Sequence, residues 1–277
     1  MVPTDFSPNA NKALDFAVEI ASGARASIIL VYVNELLDTP FREKTALENK
    51  YGLPGEEAAE MELEMICKNI RESMRLDVTY QVFGGTVTSA ILDAAKENNA
   101  SLVVMGTLGN TGFKEKLVGS ITAAIISKSD IPVMAVPILS EWQIPKNIMM
   151  AVNHFDERPA NTEMVFKIAR LFNSKVTVAV FTDEDDAEAA DYLENTRGII
   201  SYGQELESIY KDIKVDAVRL YGHKFQESID EFIAANQVDM LVMFTHKRNF
   251  IESVFNKSVS SKMSYHTNIP LITIPVV

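Results

Sequence analysis

Between Met105 and Thr122 the chain reads Met-Gly-Thr-Leu-Gly-Asn-Thr-Gly-Phe-Lys-Glu-Lys-Leu-Val-Gly-Ser-Ile-Thr, directly after the apolar run Leu102-Val103-Val104. Its glycines and serine fall as Gly106-x2-Gly109-x9-Gly119-Ser120, behind a strand and ahead of a helix. Such a segment is suited to holding a phosphate chain through backbone N–H groups. Glycine lets a loop take positive φ and lets an anion approach with no Cβ in the way. A helix start adds unpaired N–H donors and the positive end of its dipole. The spacing matches neither the Walker A loop nor the dinucleotide fingerprint, so neither of those mechanisms transfers.

The elements that must position this loop are written twice. Ala90-Ile-Leu-Asp-Ala-Ala-Lys-Glu-Asn-Asn, Leu102-Val-Val-Met and Ser129-Asp-Ile-Pro-Val-Met-Ala-Val-Pro recur as Ser228-Ile-Asp-Glu-Phe-Ile-Ala-Ala-Asn-Gln, Met240-Leu-Val-Met and Thr267-Asn-Ile-Pro-Leu-Ile-Thr-Ile-Pro. Ile91 and Ile229, Met105 and Met243, and Pro132 and Pro270 are each 138 positions apart. A repeat this long means two copies of a domain and not a solenoid.

Each copy alternates strands with helices. In the first, a short strand at Val2-Pro3 leads to Ser7-Pro8, an N-cap followed by proline at the first helical position. Ala13, Leu14, Ala17, Val18 and Ala21 follow at helical spacing, with Gly23 as the expected stop. Strands are expected at Ile28–Val33, Val78–Val82, around Val103 and at Val133–Val136, with helices near 56–75, 87–98 and from about Ser120. The second copy runs from Ile148–Val152 through Met164, Val165, Ile168, Ala169 and Phe172 to Ile272–Val276. Apolar strands separated by helices predict α/β domains at 1–138 and 146–277, each a parallel sheet covered on both faces. Pro137–Asn147 is the expected linker. Where the second copy opens with Asn147-Ile-Met-Met-Ala-Val, the first has only Met1, Val2 and Pro3, which suggests that a few native residues precede the start.

Composition narrows the classes further. The 277 residues are 47% hydrophobic, ample for two packed cores, and no apolar run approaches a membrane span. Met1-Val-Pro-Thr-Asp has neither the basic patch nor the apolar stretch of a secretion signal. One cysteine, Cys67, excludes an intramolecular disulfide framework and fits a reducing cytosol. Its neighbours Met65, Ile66 and Ile70 predict a buried, inert thiol. A net charge of −12 argues against a general binder of nucleic acid or anionic membrane.

With Pro3-Thr-Asp-Phe-Ser near the start and Gly106-x2-Gly109-x9-Gly119-Ser120 before the last helix, the chain resembles a tandem universal stress protein over essentially its whole length. The resemblance implies two open parallel five-stranded sheets in the order 3-2-1-4-5, of the adenine nucleotide α-hydrolase-like type. It also implies ATP binding, with Mg or Mn, in members that keep the glycines. In such a sheet the ligand crevice lies beyond the carboxyl ends of the strands, where the order switches between strands 1 and 4.

Carried onto this chain, Pro3, Thr4 and Asp5 end the first strand beside that crevice. Asp5 would hydrogen-bond the ribose or the adenine, or help hold a divalent cation; its plainer role is to cap the helix at Ser7-Pro8. Val33 would line the adenine slot. Met105 and Gly106 would back the ribose and phosphates, and Leu108 would touch the nucleotide from the loop. Gly109, Gly119, Ser120, Ile121 and Thr122 would supply N–H and hydroxyl donors, Ser120 also being readable as a simple N-cap.

The second copy lacks the pattern. Phe244, Lys247 and Lys257 stand at the positions of Gly106, Gly109 and Gly119; Ser258 alone is kept, and His154 stands for Asp5. Side chains there fill the space phosphates need and disfavour positive φ. A retired site kept for its fold is one reading; an anion site built on Lys247, Arg248 and Lys257 is the other. His223, His246 and His266 share no close metal-ligand spacing, and Asp183-Glu-Asp-Asp reads as a solvated loop. Asn34–Glu57, charged and turn-rich, reads as a lid or a partner surface.

The function expected is thus a cytosolic ATP-binding stress or signalling protein with one site, in the first half. Nucleotide would alter the loop and Asn34–Glu57, and so affinity for a protein partner. No base for attack on the γ-phosphate is visible, so discrete catalysis is not implied; the resemblance leaves slow hydrolysis or self-phosphorylation open. The alternative is a nucleotide-independent scaffold. The last strands, ending Ala135-Val-Pro137 and Ile274-Pro-Val-Val277, are expected to pair edge to edge as an intramolecular pseudo-dimer, with a homodimer as a further expected assembly.

Overall fold

The computed structural model describes residues 1–34, 46–107, 119–152, 159–183, 189–223, 225–246 and 268–276. The chain divides into two units, Met1–Ile138 and Leu139–Val277. Both are α/β, with parallel strands alternating with helices.

In the first unit the strands are β1 (Val2–Thr4), β2 (Ile28–Asn34), β3 (Val78–Gly84), β4 (Val103–Gly106) and β5 (Val133–Val136). β1 pairs with β2 and β2 with β3, while β4 pairs with β5, all parallel. β1 and β4 lie side by side through Met1. Its main-chain nitrogen donates to Leu102 O at 2.9 Å, and its carbonyl accepts from Val104 N at 2.9 Å. In the second unit β6 (Asn147–Val152), β7 (Lys175–Asp183), β8 (Val215–Gly222), β9 (Met240–His246) and β10 (Leu271–Val276) pair in the order β8-β7-β6-β9-β10, with β6, the unit's first strand, at the centre.

Helix α1 (Pro8–Ala24) begins as its sequence dictates, with Ser7 Oγ accepting from Ala10 N at 3.2 Å and proline at the first position. Its buried face is Ala10, Ala13, Phe16, Ala17 and Ala21. Four alanines out of five let the helix axis come close to the sheet, and Phe16, Leu30 and Val31 are all buried in the core of this unit. The helix does not stop at Gly23. Arg25, at φ 52°, takes the left-handed closing position and donates its N–H to Ala21 O. Arg75, Asn99, Asn173 and Gln237 adopt the same conformation with φ between 48° and 55°. Asn99 and Gln237 are repeat equivalents, so the duplication extends to the backbone turn.

The remaining helices of the first unit are α2 (Ala46–Tyr51), α3 (Gly55–Met74), α4 (Val87–Glu97) and α5 (Ser120–Lys128). Those of the second are α6 (Pro159–Phe172), α7 (Ala189–Ile209) and α8 (Phe225–Asn236). Cys67 is fully buried on α3, and burial pushes its thiol up to about 11, the inert state its neighbours predict. The second core is built on Met149, Met150, Phe166, Ile199, Leu206, Ile229 and Leu241, with Phe166 stacked on Tyr210. Trp142 packs edge-on against Phe172, so the expected linker is partly anchored to the second unit. Among the described residues no helix is long and apolar enough to cross a membrane.

Candidate functional site

Parallel strands bring all their carboxyl ends to one edge of the sheet. In the first unit Pro3 and Thr4 end β1, Val33 lies one residue from the end of β2, and Met105 and Gly106 end β4. The register sets Pro3 beside Val31, Val33 beside Phe83, and Gly106 beside Val136. The candidate residues of strands 1, 2 and 4 therefore share an edge. Leu108 and Gly109 lie outside the described residues.

The turn leaving β1 is held by its own side chains. Thr4 Oγ1 accepts from Phe6 N at 3.0 Å, and Asp5 Oδ1 accepts from Ser7 N at 3.0 Å. Phe6 is left-handed at φ 61°, its ring 5.1 Å from that of Tyr32 on β2. A non-glycine residue there stores strain. One carboxylate oxygen of Asp5 thus serves the turn, while the side chain itself is exposed. Among the described residues no group of three or more His, Cys, Asp or Glu is arranged to hold a metal ion.

Gly106 is required by packing. A Cβ at this position would lie 2.7 Å from Asn9 O, 2.9 Å from Asn9 C and 3.0 Å from Asn9 Cβ. The first turn of α1 rests directly on the last residue of β4. Neither Gly106 nor Gly119 has a positive φ, so conformational freedom is not what these two glycines supply.

Gly119, at φ −60° and ψ 153°, is the N-cap of α5 and has no side chain with which to cap it. Ser120 is therefore the first helical residue and not the cap. Gly119 N donates to Thr107 O, and Thr107 N donates to Val136 O at 3.1 Å. Thr122 Oγ1 donates to Gly106 O at 2.8 Å, with Thr122 buried. Its single hydroxyl proton is given to the end of β4. Ser120 and Ile121 are exposed at the helix start. These bonds hold the uncapped start of α5 against the end of β4.

Asn9 is the residue that sequence reasoning missed. Its Oδ1 is buried and, among the described residues, has no hydrogen-bond partner. A buried acceptor left in that state costs about 1–3 kcal/mol. The available signal was a carboxamide in the first turn of a helix whose inner face is otherwise mostly alanine.

At the corresponding edge of the second unit, Phe244 is buried and pairs in register with Ile274, as Gly106 does with Val136. Thr245 Oγ1 donates to Ile274 O at 3.4 Å. His154, Lys247, Arg248, Lys257, Ser258 and His266 lie outside the described residues.

A parallel α/β sheet with convergent strand ends beside a helix start defines the class of open-sheet crevice proteins. A model of the universal stress protein family matches residues 1–137 and again residues 145–275. The chain belongs to the universal stress protein family, with two tandem copies of its domain. A universal stress protein of Methanocaldococcus jannaschii is 27% identical over 146 residues, covering 49% of this chain and 79% of the relative. A second from the same organism is 27% identical over 150 residues, covering 49% and 92%. The fold is similar to that of a universal stress protein from Archaeoglobus fulgidus, at a TM-score of 0.74 and 16% identity over 99% of this chain and 97% of that one.

Proposed function

We propose that the protein binds ATP at one site, in its first unit, and uses occupancy to signal stress to a protein partner. The carrying observation is the tie between Gly106, Thr122 and Gly119. It holds an uncapped helix start beside the strand ends of β1 and β4. N–H groups of Ser120, Ile121 and Thr122, with the positive end of the α5 dipole, suit a triphosphate. Pro3, Thr4, Met105 and Gly106 would flank the ribose, Val33 the adenine, and Leu108 and Gly109 would complete the loop. Asp5, exposed and with one oxygen serving its turn, would meet ribose, adenine or the accompanying Mg or Mn. The buried acceptor of Asn9 fits a site that expects a donor from its ligand. Cys67, buried as a thiol, suits a reducing compartment, and we place the protein in the cytosol. Pairing of the two repeats through their last strands is proposed on the apolar edges written in the sequence.

Titration calorimetry of the full chain with MgATP should give about one ATP per chain. Gly119→Lys should abolish it with the circular dichroism spectrum unchanged, because the long side chain enters the phosphate position. Wild-type protein that takes up no ATP at millimolar concentration would overturn this reading and leave the nucleotide-independent scaffold.

A further inference from the structure

Asn9 lies in the first turn of α1, the helix that follows β1, against the end of β4. Its main chain rests on Gly106, and its Cβ is 3.0 Å from where a Cβ on that glycine would stand. The carboxamide therefore lies within one side-chain length of the last residue of β4. The helix start is already satisfied, since Ser7 caps it through Ala10 N. Asn9 thus has no capping duty that would account for a polar side chain. Its Oδ1 is out of solvent and lacks a donor among the described residues. A half-buried carboxamide whose oxygen is out of solvent and unpaired among the described residues is poorly matched to the apo protein and well matched to a ligand that brings an N–H or O–H.

We propose that Asn9 is a specificity-determining residue of the nucleotide site, its carboxamide oxygen accepting a hydrogen bond from a ribose hydroxyl. This rests on the ATP reading above. The donor's identity follows from what the nucleotide offers and from position. Phosphates at neutral pH present acceptors only. The adenine amine belongs with Val33 on the β2 side of β1, whereas Asn9 packs on β4. The ribose lies between, and its 2′ and 3′ hydroxyls are the donors within reach of the β4 edge. The residue selects ribonucleotides over deoxynucleotides, because a missing hydroxyl leaves the buried acceptor unpaired.

The test is titration of the full chain, with and without Mg, using ATP, 2′-deoxyATP and 3′-deoxyATP. Wild-type protein should prefer ATP to at least one deoxy analogue by about fivefold to tenfold, the worth of one net hydrogen bond. In Asn9→Leu, similar in shape but without the acceptor, ATP should fall to the affinity of that analogue while the analogue binds as before. The ligand-free melting temperature of Asn9→Leu should hold or rise, since an orphaned polar atom has been removed. Asn9→Asp keeps an acceptor and should keep the preference, and it carries the test if the leucine variant misfolds. A wild-type preference undiminished in Asn9→Leu, equal losses for ATP and analogue, or a preference lost in Asn9→Asp overturns the role of Asn9 and leaves ATP binding standing. Wild-type protein that binds none of the three nucleotides overturns the ATP reading and this one with it.

Discussion

Thr122 shows how one hydroxyl can position a site without touching its ligand. Buried and donating to Gly106 O at 2.8 Å, it ties the first turn of α5 to the last residue of β4. Thr122→Val keeps the shape and removes the proton, leaving a partly buried carbonyl short of its partner. We expect a loss of about 1–3 kcal/mol in urea denaturation and weaker ATP binding, with Thr122→Ser restoring most of both. A Thr122→Val protein as stable as wild type would show that the bond carries no weight. The residue's place was legible in the sequence, but its partner was not: a threonine two residues into a helix reads equally as ligand donor or internal brace. Asn9 escaped notice for a related reason. Nothing in the spacing says that α1 presses on β4 closely enough to take the Asn9 carboxamide oxygen out of solvent, because that closeness depends on a glycine 97 positions away in the chain.

At the scale of elements, a carboxylate of α3 ties α2 to it. Glu62 accepts from Lys50 Nζ and from Tyr51 OH, each at 2.5 Å, and Lys50 lies over the Tyr51 ring. Burial pushes Glu62 upward, but the bonds from Lys50 and Tyr51 outweigh it and hold its carboxyl below the ordinary range. A depressed folded pKa stabilises the docked state above the unfolded value. That stabilisation is full above the ordinary glutamate value of about 4.3 and is lost as pH falls through the depressed one. The protection factors of the Ala46–Tyr51 amides, taken against their intrinsic exchange rates at each pH, should therefore fall on acidification before the rest of the unit opens. Glu62→Gln should show the lower protection already at pH 7, and protection in α2 that ignores both changes would refute the clamp. The described part of the expected lid, Ala46 onward, is a docked helix; residues 35–45 lie outside the described residues. Helix starts were legible where proline and serine marked them, as at Ser7-Pro8. Helix ends were not. Arg25 and Gln237 close their helices in a conformation costly for side chains, and no local signal announces an arginine or glutamine in that role.

Across the whole molecule, the repeat was the most legible feature, because a shared offset tests many residues at once and does not depend on any local propensity. The structure repeats the register pair by pair, Met105 beside Ala135 and Met243 beside Thr273. Two units with one retained glycine pattern should behave differently toward nucleotide. Saturating MgATP should slow amide exchange at Met105–Thr107 and Gly119–Ala123 while leaving Leu241–Thr245 unchanged. Protection at Leu241–Thr245 instead would assign the site to the wrong unit. Net charge adds a second signature. At −12 the chain repels a polyanion at long range, so moderate salt should quicken ATP association by screening, even where it leaves the dissociation rate alone.

The contact between Asn9 and Gly106 also bears on history. A side chain added at 106 meets main-chain atoms at 2.7 Å and 2.9 Å, so the first unit resists gaining one. Phe244, at the equivalent position, is buried, so its removal would open a void costing about 3–5 kcal/mol, and the second unit resists losing one. Exchange between the two states is closed to single substitutions in either direction, an evolutionary ratchet set by one pair of facing atoms.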